Sequence, residues 1–515
     1  MVSRHAVSIA VAASLLEGCT RRAPADPGLV RLALPYEVAT LDPHARNAIS
    51  TFAVASHLYD RLVDTDADLR IRPALAESWT TADQKTWVFK LRPNALFHDG
   101  RPLRAQDAVW SIKRLLRNRG LELSAYVSYV SEVRALDPLT LEVRTKQPLG
   151  ILLNRLRFVF IVPEGEDSEA LAEKANGTGP YRLAEWERGQ RLRLVRNDAY
   201  WGPQPAVREL EILLHREPAQ AARDLISGHA RFAQCNSREA AEQLRAAGFA
   251  LQRQPSVSVK YLGFGFAPAA IPGPHGPMPN PFRRREVREA VQLALDRDRL
   301  VARLPATAVP ATQPVPPTVF GFSPAIPPPV HDLARAKELM KAAGHAGGFR
   351  ATLHARRILA PAAQLVREQL AALGIELDVQ VLDDNEFLDR ARRLEFALYL
   401  SRLAAVTGDA TNLLENGLHS VDRERGMGVA NFSGYSNPEI DGAIERSALL
   451  QSQGQRRQAI EDIMKQLMEE LPWAPLYVDE DVFALAPDLV WRPRRDGFVL
   501  GAEIGLAGER AAPRP

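Results

Sequence analysis

Two cysteines in 515 residues, Cys19 and Cys235, are too few for a disulfide framework, and their separate surroundings point to separate fates. No HExxH or paired-cysteine spacing occurs and the 11 histidines are scattered, so no zinc-type ligand set can be assembled and Cys235 reads as a core thiol. Gly177-Thr178-Gly179-Pro180 lacks the long glycine spacing and the lysine of a phosphate-binding loop, and its proline removes an amide that would cradle an anion. No GxSxG elbow is present, and the adjacent Asp383 and Asp384 tend to diverge rather than converge on one substrate bond. There is no run of five like charges. The 65 Lys and Arg are nearly balanced by 62 Asp and Glu, for a net charge of +3, which argues against a nucleic-acid binder. No repeat of 20–50 residues is evident, so a solenoid or propeller is disfavoured. Nothing in the chain asks for an enzyme, a cofactor or a metal.

What is present begins at the N-terminus. Arg4 and His5 precede an apolar stretch, Ala6 to Leu16, which is too short to span a bilayer and suits a signal-peptide core. Leu16-Glu17-Gly18-Cys19 resembles the bacterial lipobox, in which the cysteine is lipidated, with Glu17 where a small residue is usual. Ordinary cleavage near Ala23-Pro24-Ala25 and an unprocessed cytosolic start are the alternatives. No later segment reaches about 18 uninterrupted apolar residues, so the body should lie outside the membrane. A chain of this length exceeds one ordinary core, and two or more lobes are expected.

Strand and helix patterns interleave throughout, which gives an α/β expectation. A buried strand should run from Leu29 and end at Thr40-Leu41-Asp42-Pro43. Asp99-Gly100, in "FHDGRPLRAQDAVWSIKRLL", reads as a tight turn before an amphipathic helix from Ala105, and not as a His98-Asp99 site. Tyr181–Leu183 and Leu192–Val195 should form a hairpin. Proline and glycine between Ala267 and Phe282 exclude regular structure there, and Pro310 to Pro329 reads as loop or lid. "REVREAVQLALDRDRLVARL" is expected as one helix. Asp332 should cap another that stops at Gly344, ahead of a strand–helix–strand unit on a parallel sheet.

Seven segments occur in the order seen in one family: "LDPH", "LAESWTTADQKTWVFKLRPNALFHDGRPLRAQDAVWSIKRL", "GTGPYRLAEWERGQRLRLVRNDAYWG", "VREAVQLALDRDRLV", "ARAKELMKAAG", "LVREQLAALGIELDVQV" and "NFSGYSNPEIDGAIERS". The chain thereby resembles the family-5 solute-binding proteins of ABC transporters from about Leu29 to Val490. The resemblance implies an α/β, two-lobe periplasmic-binding-protein (Venus-flytrap) fold. After a signal peptide over 1–19 and a linker over 20–28, lobe 1 would comprise 29–263 and 478–515. It would carry an inserted subdomain at about 59–176, and lobe 2 would span 264–477. The resemblance implies a monomeric receptor, lipid-anchored through Cys19 at a bacterial membrane. In the periplasm or at the cell surface it would hold an oligopeptide-like or similarly sized solute between its lobes and deliver it to ABC permease subunits. A sensing module without its own transporter and an extracellular hydrolase are the other readings. By the same resemblance Asp409, in Thr407-Gly408-Asp409, would pair with a ligand ammonium, a helix cap being the alternative. Glu37 and Thr40 would line the opposite wall, and Phe264 and Phe266 would sit at a lobe crossing. Tyr181 and Trp201 read as packing residues. The sequence departs from the peptide-binding pattern at Leu403 and Val406, and in having Gly265-Phe266 after its "YLGF" strand.

Overall fold

A computed structural model describes residues 28–215, 217–273, 276–450 and 452–508; Cys19 and the expected signal peptide lie outside the described residues. Ten strands trace the main sheet: β1 (Leu29–Leu34), β2 (Tyr181–Glu187), β3 (Arg191–Arg196), β4 (Glu209–Leu214), β5 (Phe232–Gln234), β6 (Leu251–Phe264), β7 (Phe349–Arg356), β8 (Ile375–Leu382), β9 (Leu398–Ala404) and β10 (Trp473–Leu485). They are hydrogen-bonded in the order β8-β7-β9-β6-β10-β5-β1-β4-β3-β2, and an eleventh strand, Ala308–Pro310, pairs with β10.

β6 and β10 are the long members, and each belongs to two neighbourhoods. The start of β6 pairs with the end of β10 beside β5, whereas the far half of β6 pairs with β9. The chain thus forms two lobes joined by an antiparallel pair whose register breaks between Pro255 and Val259. One hydrophobic core unites β1, β3 and β4 with Phe52, Phe158 and Phe160. Two others lie in the second lobe, around Phe264 and Phe282 and around Tyr261, Phe432 and Trp473.

Between β1 and β2 the chain builds a separate four-stranded antiparallel sheet from Ala76–Thr81, Thr86–Leu91, Thr140–Thr145 and Val130–Asp137, backed by the helix Ala105–Arg117. The Asp99-Gly100 turn precedes that helix as expected. Gly100 has φ +89, Asp99 accepts from the Arg101 amide at 2.9 Å, and His98 contacts only backbone carbonyls. Arg104 is the N-cap residue of the helix, and the Asp107 carboxylate, three positions on, accepts its amide at 2.8 Å.

The β2–β3 hairpin, the Asp332 cap, the Gly344 stop and the parallel β7–β8 pair with its connecting helix stand where the patterns placed them. Tyr181 is fully buried and donates to the Val207 carbonyl, and Trp201 donates to Asp60 at 2.7 Å. Three expectations are corrected. β1 stops at Leu34, because Pro35 has no amide for the ladder. The expected single helix after Arg284 is two, Arg285–Ala294 and Arg297–Arg303, because Asp296 caps the second by accepting the Arg299 amide at 2.9 Å. The proline-rich stretch after Ala267 contains a ribbon of Ala270–Gly273 with Gly276–Pro279. Both strands there are edges, so proline costs few ladder bonds.

Candidate functional site

Strand direction locates the site. β1, β4 and β5 run parallel to one another, and β5 is antiparallel to β10, so their carboxyl ends point towards the second lobe. β7, β8 and β9 are also mutually parallel, and β9 is antiparallel to β6, so their carboxyl ends point back. Ligands of open α/β sheets bind beyond the carboxyl ends of parallel strands. Here two such sets face each other across the β6–β10 crossing.

The floor of this crevice is charged although strand cores are apolar. Lys260 of β6 stands opposite Arg402 of β9 and Tyr477 of β10. It is buried, and its ammonium pairs with Asp479. Desolvation holds its pKa below the usual lysine value, with Asp479 opposing. At the end of β7 the Arg356 guanidinium grips Asp384 in a fork, Nε on Oδ1 at 2.9 Å and a second nitrogen on Oδ2. The side chain of Arg402, an exposed residue, makes no hydrogen bond or ion pair among the described residues; the charges of Arg356, Asp384 and Asp479 and the Tyr477 hydroxyl act on it from nearby. On the first-lobe side, Asp481 is held by Gln234 and Asn236 amides at 3.1 and 2.9 Å, and burial pushes its carboxyl up to about 6. Pairing Lys260 with Asp479 and Arg356 with Asp384 leaves Arg402 and Asp481, of opposite sign, without a counter-ion in contact.

The expected site residues fall into groups. Of Thr407, Gly408 and Asp409, Gly408 meets the first lobe. Gly408 has φ +71, and a Cβ there would lie 2.4 Å from Leu69 Cδ1, so the backbone passes against the other lobe where only glycine fits. Asp409 caps the helix Ala410–Leu413, accepting the Thr411 amide at 2.9 Å. Its Oδ1 also takes Arg456 Nη2 at 2.5 Å, and Arg456 reaches Thr411 Oγ1 at 2.7 Å. The Thr407 hydroxyl donates to the Asp409 carbonyl. Glu37 and Thr40 lie on the segment leaving β1, Glu37 exposed and Thr40 accepting the Asp42 amide. Phe264 is sealed in the second-lobe core against Phe282, and Phe266 packs beside Tyr435 under the Arg288 guanidinium.

Closure is visible at the rim. Arg155, on the helix Leu152–Leu156 of the first lobe, forms a buried ion pair with Glu415 of the second, and its guanidinium lies 4.5 Å from the Tyr129 ring centre. The Gly150 amide donates to the Ala448 carbonyl at 3.3 Å, and Val406 packs against the first-lobe core.

Lys260, Arg356, Arg402, Asp481 and the Arg155–Glu415 pair escaped the sequence reading. One signal was there: "YVDEDVF" places three acids within an otherwise apolar strand, and the alternation of a strand puts Asp479 and Asp481 on one face. Among the described residues no group of three or more His, Cys, Asp or Glu could hold a metal ion, and no helix is long and apolar enough to cross a membrane. Cys235 is buried, and burial pushes its thiol up to about 12.

Comparisons agree with this architecture. The glutathione-binding protein GsiB of Escherichia coli is 26% identical over 529 residues, covering 98% of both chains, and GsiB of Shigella flexneri matches equally. Among solved structures, HbpA2 from Haemophilus parasuis superposes with a TM-score of 0.79 at 21% identity, over 93% of this chain and 99% of that one. DppA from Helicobacter pylori in complex with the peptide STSA gives 0.77 at 20%, over 93% and 98%. NikA from Brucella suis in complex with Fe(III)-EDTA gives 0.79 at 20%, over 93% and 99%. The family model of bacterial extracellular solute-binding proteins, family 5, matches residues 70–424, well over half of the sequence. With strand ends of two lobes facing across a charged crevice, the chain belongs to that family.

Proposed function

We propose that the protein is an extracytoplasmic receptor that closes around a short, zwitterionic peptide or a solute of similar size and hands it to the permease of an ABC transporter. The observation that carries this is the pair of charges left over on the crevice floor, Arg402 on the second lobe and Asp481 on the first-lobe side. A solute with a carboxylate and an ammonium satisfies both and thereby draws the lobes together, since those contacts are complete only in the closed form. Glutathione, named for the curated relatives, is the first solute to try.

The hinge in this reading lies at Pro255–Val259 of β6 and at Asp479–Asp481 of β10. Glu37, Thr40, Thr407 and Gly408 line the walls, Asp409 serves as a cap and ion-pair partner, and Phe264 and Phe266 pack the second lobe. Cys19 is the lipid anchor on the outer face of a bacterial membrane, and the receptor acts as a monomer without catalysis. The test is thermal-shift titration of the purified mature chain with reduced glutathione and trialanine, with the solute recovered and weighed by mass spectrometry. A ligand present at 100 times its Kd adds about 2.7 kcal/mol to stability. Stabilisation with the solute recovered intact is expected; release of a cleaved product, or no shift with either solute, would sink the proposal.

A further inference from the structure

The solute's cationic group has an obvious first destination in Asp409, and the geometry denies it. That carboxylate is 4% exposed and already holds an amide and the Arg456 guanidinium. An incoming ammonium would meet Arg456 at close range.

Asp481 is arranged differently. It lies on the crossing strand and is 9% exposed, yet neither of its hydrogen-bond donors is charged. Gln234 Nε2 and Asn236 Nδ2 both donate to Oδ1, and Oδ2 receives nothing among the described residues. The backbone of Gly497, at φ +75, comes so near that a Cβ would stand 2.8 Å from Oδ2. Lys260, whose charge acts on Asp481, is itself held by Asp479. The remaining groups that act on Asp481 or its neighbour Tyr36 add no cation: Asp479 acts directly, and Tyr36 lies in the fields of both Asp481 and Asp496. A second, independent observation points the same way. Gln234 is 5% exposed and its Oε1 is a buried acceptor with no donor among the described residues. Buried polar atoms are ordinarily paired, and a desolvated carboxylate held only by neutral amides is costly to keep ionised. Two acceptors without donors among the described residues, on side chains joined by a hydrogen bond, match a group that only donates.

We infer that the Asp481 carboxylate and the Gln234 side-chain carbonyl anchor a protonated primary amine of the bound solute. The inference rests on the receptor reading above and deepens it: the cationic group is a primary amine, Gln234 shares it with Asp481, and Asp409 is excluded as its partner.

Two variants of the full mature chain, Asp481→Asn and Asp409→Asn, separate the possibilities. Without any solute, at pH 8, Asp481→Asn should melt roughly 2–4 °C higher than the parent, because an unpaired buried charge is removed, whereas Asp409→Asn should melt lower. If Asp481→Asn melts at the parental temperature or below it, the carboxylate is serving the fold and the inference is wrong. Calorimetric titration with trialanine, glutathione and their N-acetyl forms gives the second readout. Free amines should bind, acetylation should weaken binding, and Asp481→Asn should lose on the order of 100-fold in affinity for the free amines. Equal binding of acetylated and free forms, or undiminished binding by Asp481→Asn, overturns the inference and removes the Asp481 contact from the receptor reading, whose own test remains stabilisation of the parent by either solute. Should no peptide bind the parent, the receptor reading for peptides fails and the ligand-free melting result alone decides this one.

Discussion

Replacing Glu415 by glutamine should hold the crevice open rather than unfold the protein. Arg155 and Glu415 are each 5% exposed in side chain and belong to different lobes, so their pairing exists only while the lobes are together. Removing one partner of a buried ion pair costs about 3–5 kcal/mol when the remaining charge stays buried. Here it need not stay buried: opening returns Arg155 to water, and Arg155 Nε lacks a partner among the described residues. The penalty therefore falls on the closed state alone. An affinity that requires closure drops by the fraction closed, and about 3 kcal/mol corresponds to roughly two decades in apparent Kd. Titration calorimetry with whichever of glutathione or trialanine stabilises the parent measures the affinity. Small-angle scattering should show a larger radius of gyration at equal ligand. The doubly apolar Arg155→Met/Glu415→Leu variant should recover much of the loss, because well-packed apolar residues replace buried ion pairs at little cost. Parental affinity and compactness in Glu415→Gln, or a collapse of its melting temperature without ligand, would refute the latch.

Other expectations follow from single sites. Gly408→Ala sets a Cβ against Leu69 at a positive φ, so it should weaken ligand affinity about tenfold, and adding Leu69→Ala should restore part of that in the same titration. His44 is buried, its Nε2–H donating to the Phe160 carbonyl at 2.8 Å while its Nδ1 accepts from Arg114; desolvation, then the Arg114 charge, hold its pKa down at about 4. The unfolded chain therefore binds its proton first, stability rises with pH, and on the order of 3 kcal/mol should be lost between pH 7 and pH 4. Urea midpoints should fall over that window in the parent and less steeply in His44→Gln; parallel slopes would show that His44 is not responsible. Radiolabelled palmitate should enter the parent in a bacterial host and not Cys19→Ser, and labelling of the variant would disprove the anchor.

The fold was legible wherever local chemistry decides it. Asp99-Gly100, the Asp332 cap and the alternation in β2 and β3 act over a few residues, and each stands in the structure. Two of the misreadings share one origin, competition between a periodic pattern and a single residue. Apolar spacing runs on through Leu295, but the Asp296 side chain takes the Arg299 amide and starts a new helix. The pattern after Leu34 continues through Tyr36 and Val38, both buried, yet Pro35 ends the ladder. Burial and hydrogen bonding separate at that point, and a hydrophobic pattern reports only burial.

The site was less legible because its chemistry is a matter of partners that sequence does not bring near. Asp409 sits in a segment whose resemblance implies an ammonium anchor, but Arg456, on the helix Gln453–Glu470, is 47 positions away in the chain and supplies a cation from within. Asp481 is about five times as distant in the chain from the partners that distinguish it from a surface acid: Gln234 and Asn236 reach it from 247 and 245 positions away. A carboxylate's role is set by what surrounds its two oxygens, a guanidinium in one case and neutral amides in the other, and the same fold can move the vacancy from one acid to another without altering its strands. On that argument the Arg456→Met/Asp481→Asn variant is the sharpest probe of the reading. Freeing Asp409 of its cation while silencing Asp481 should return amine binding to the Asp409 end of the crevice, and titration with trialanine would register it as affinity regained over Asp481→Asn. No regain would mean that the crevice reaches Asp481 alone.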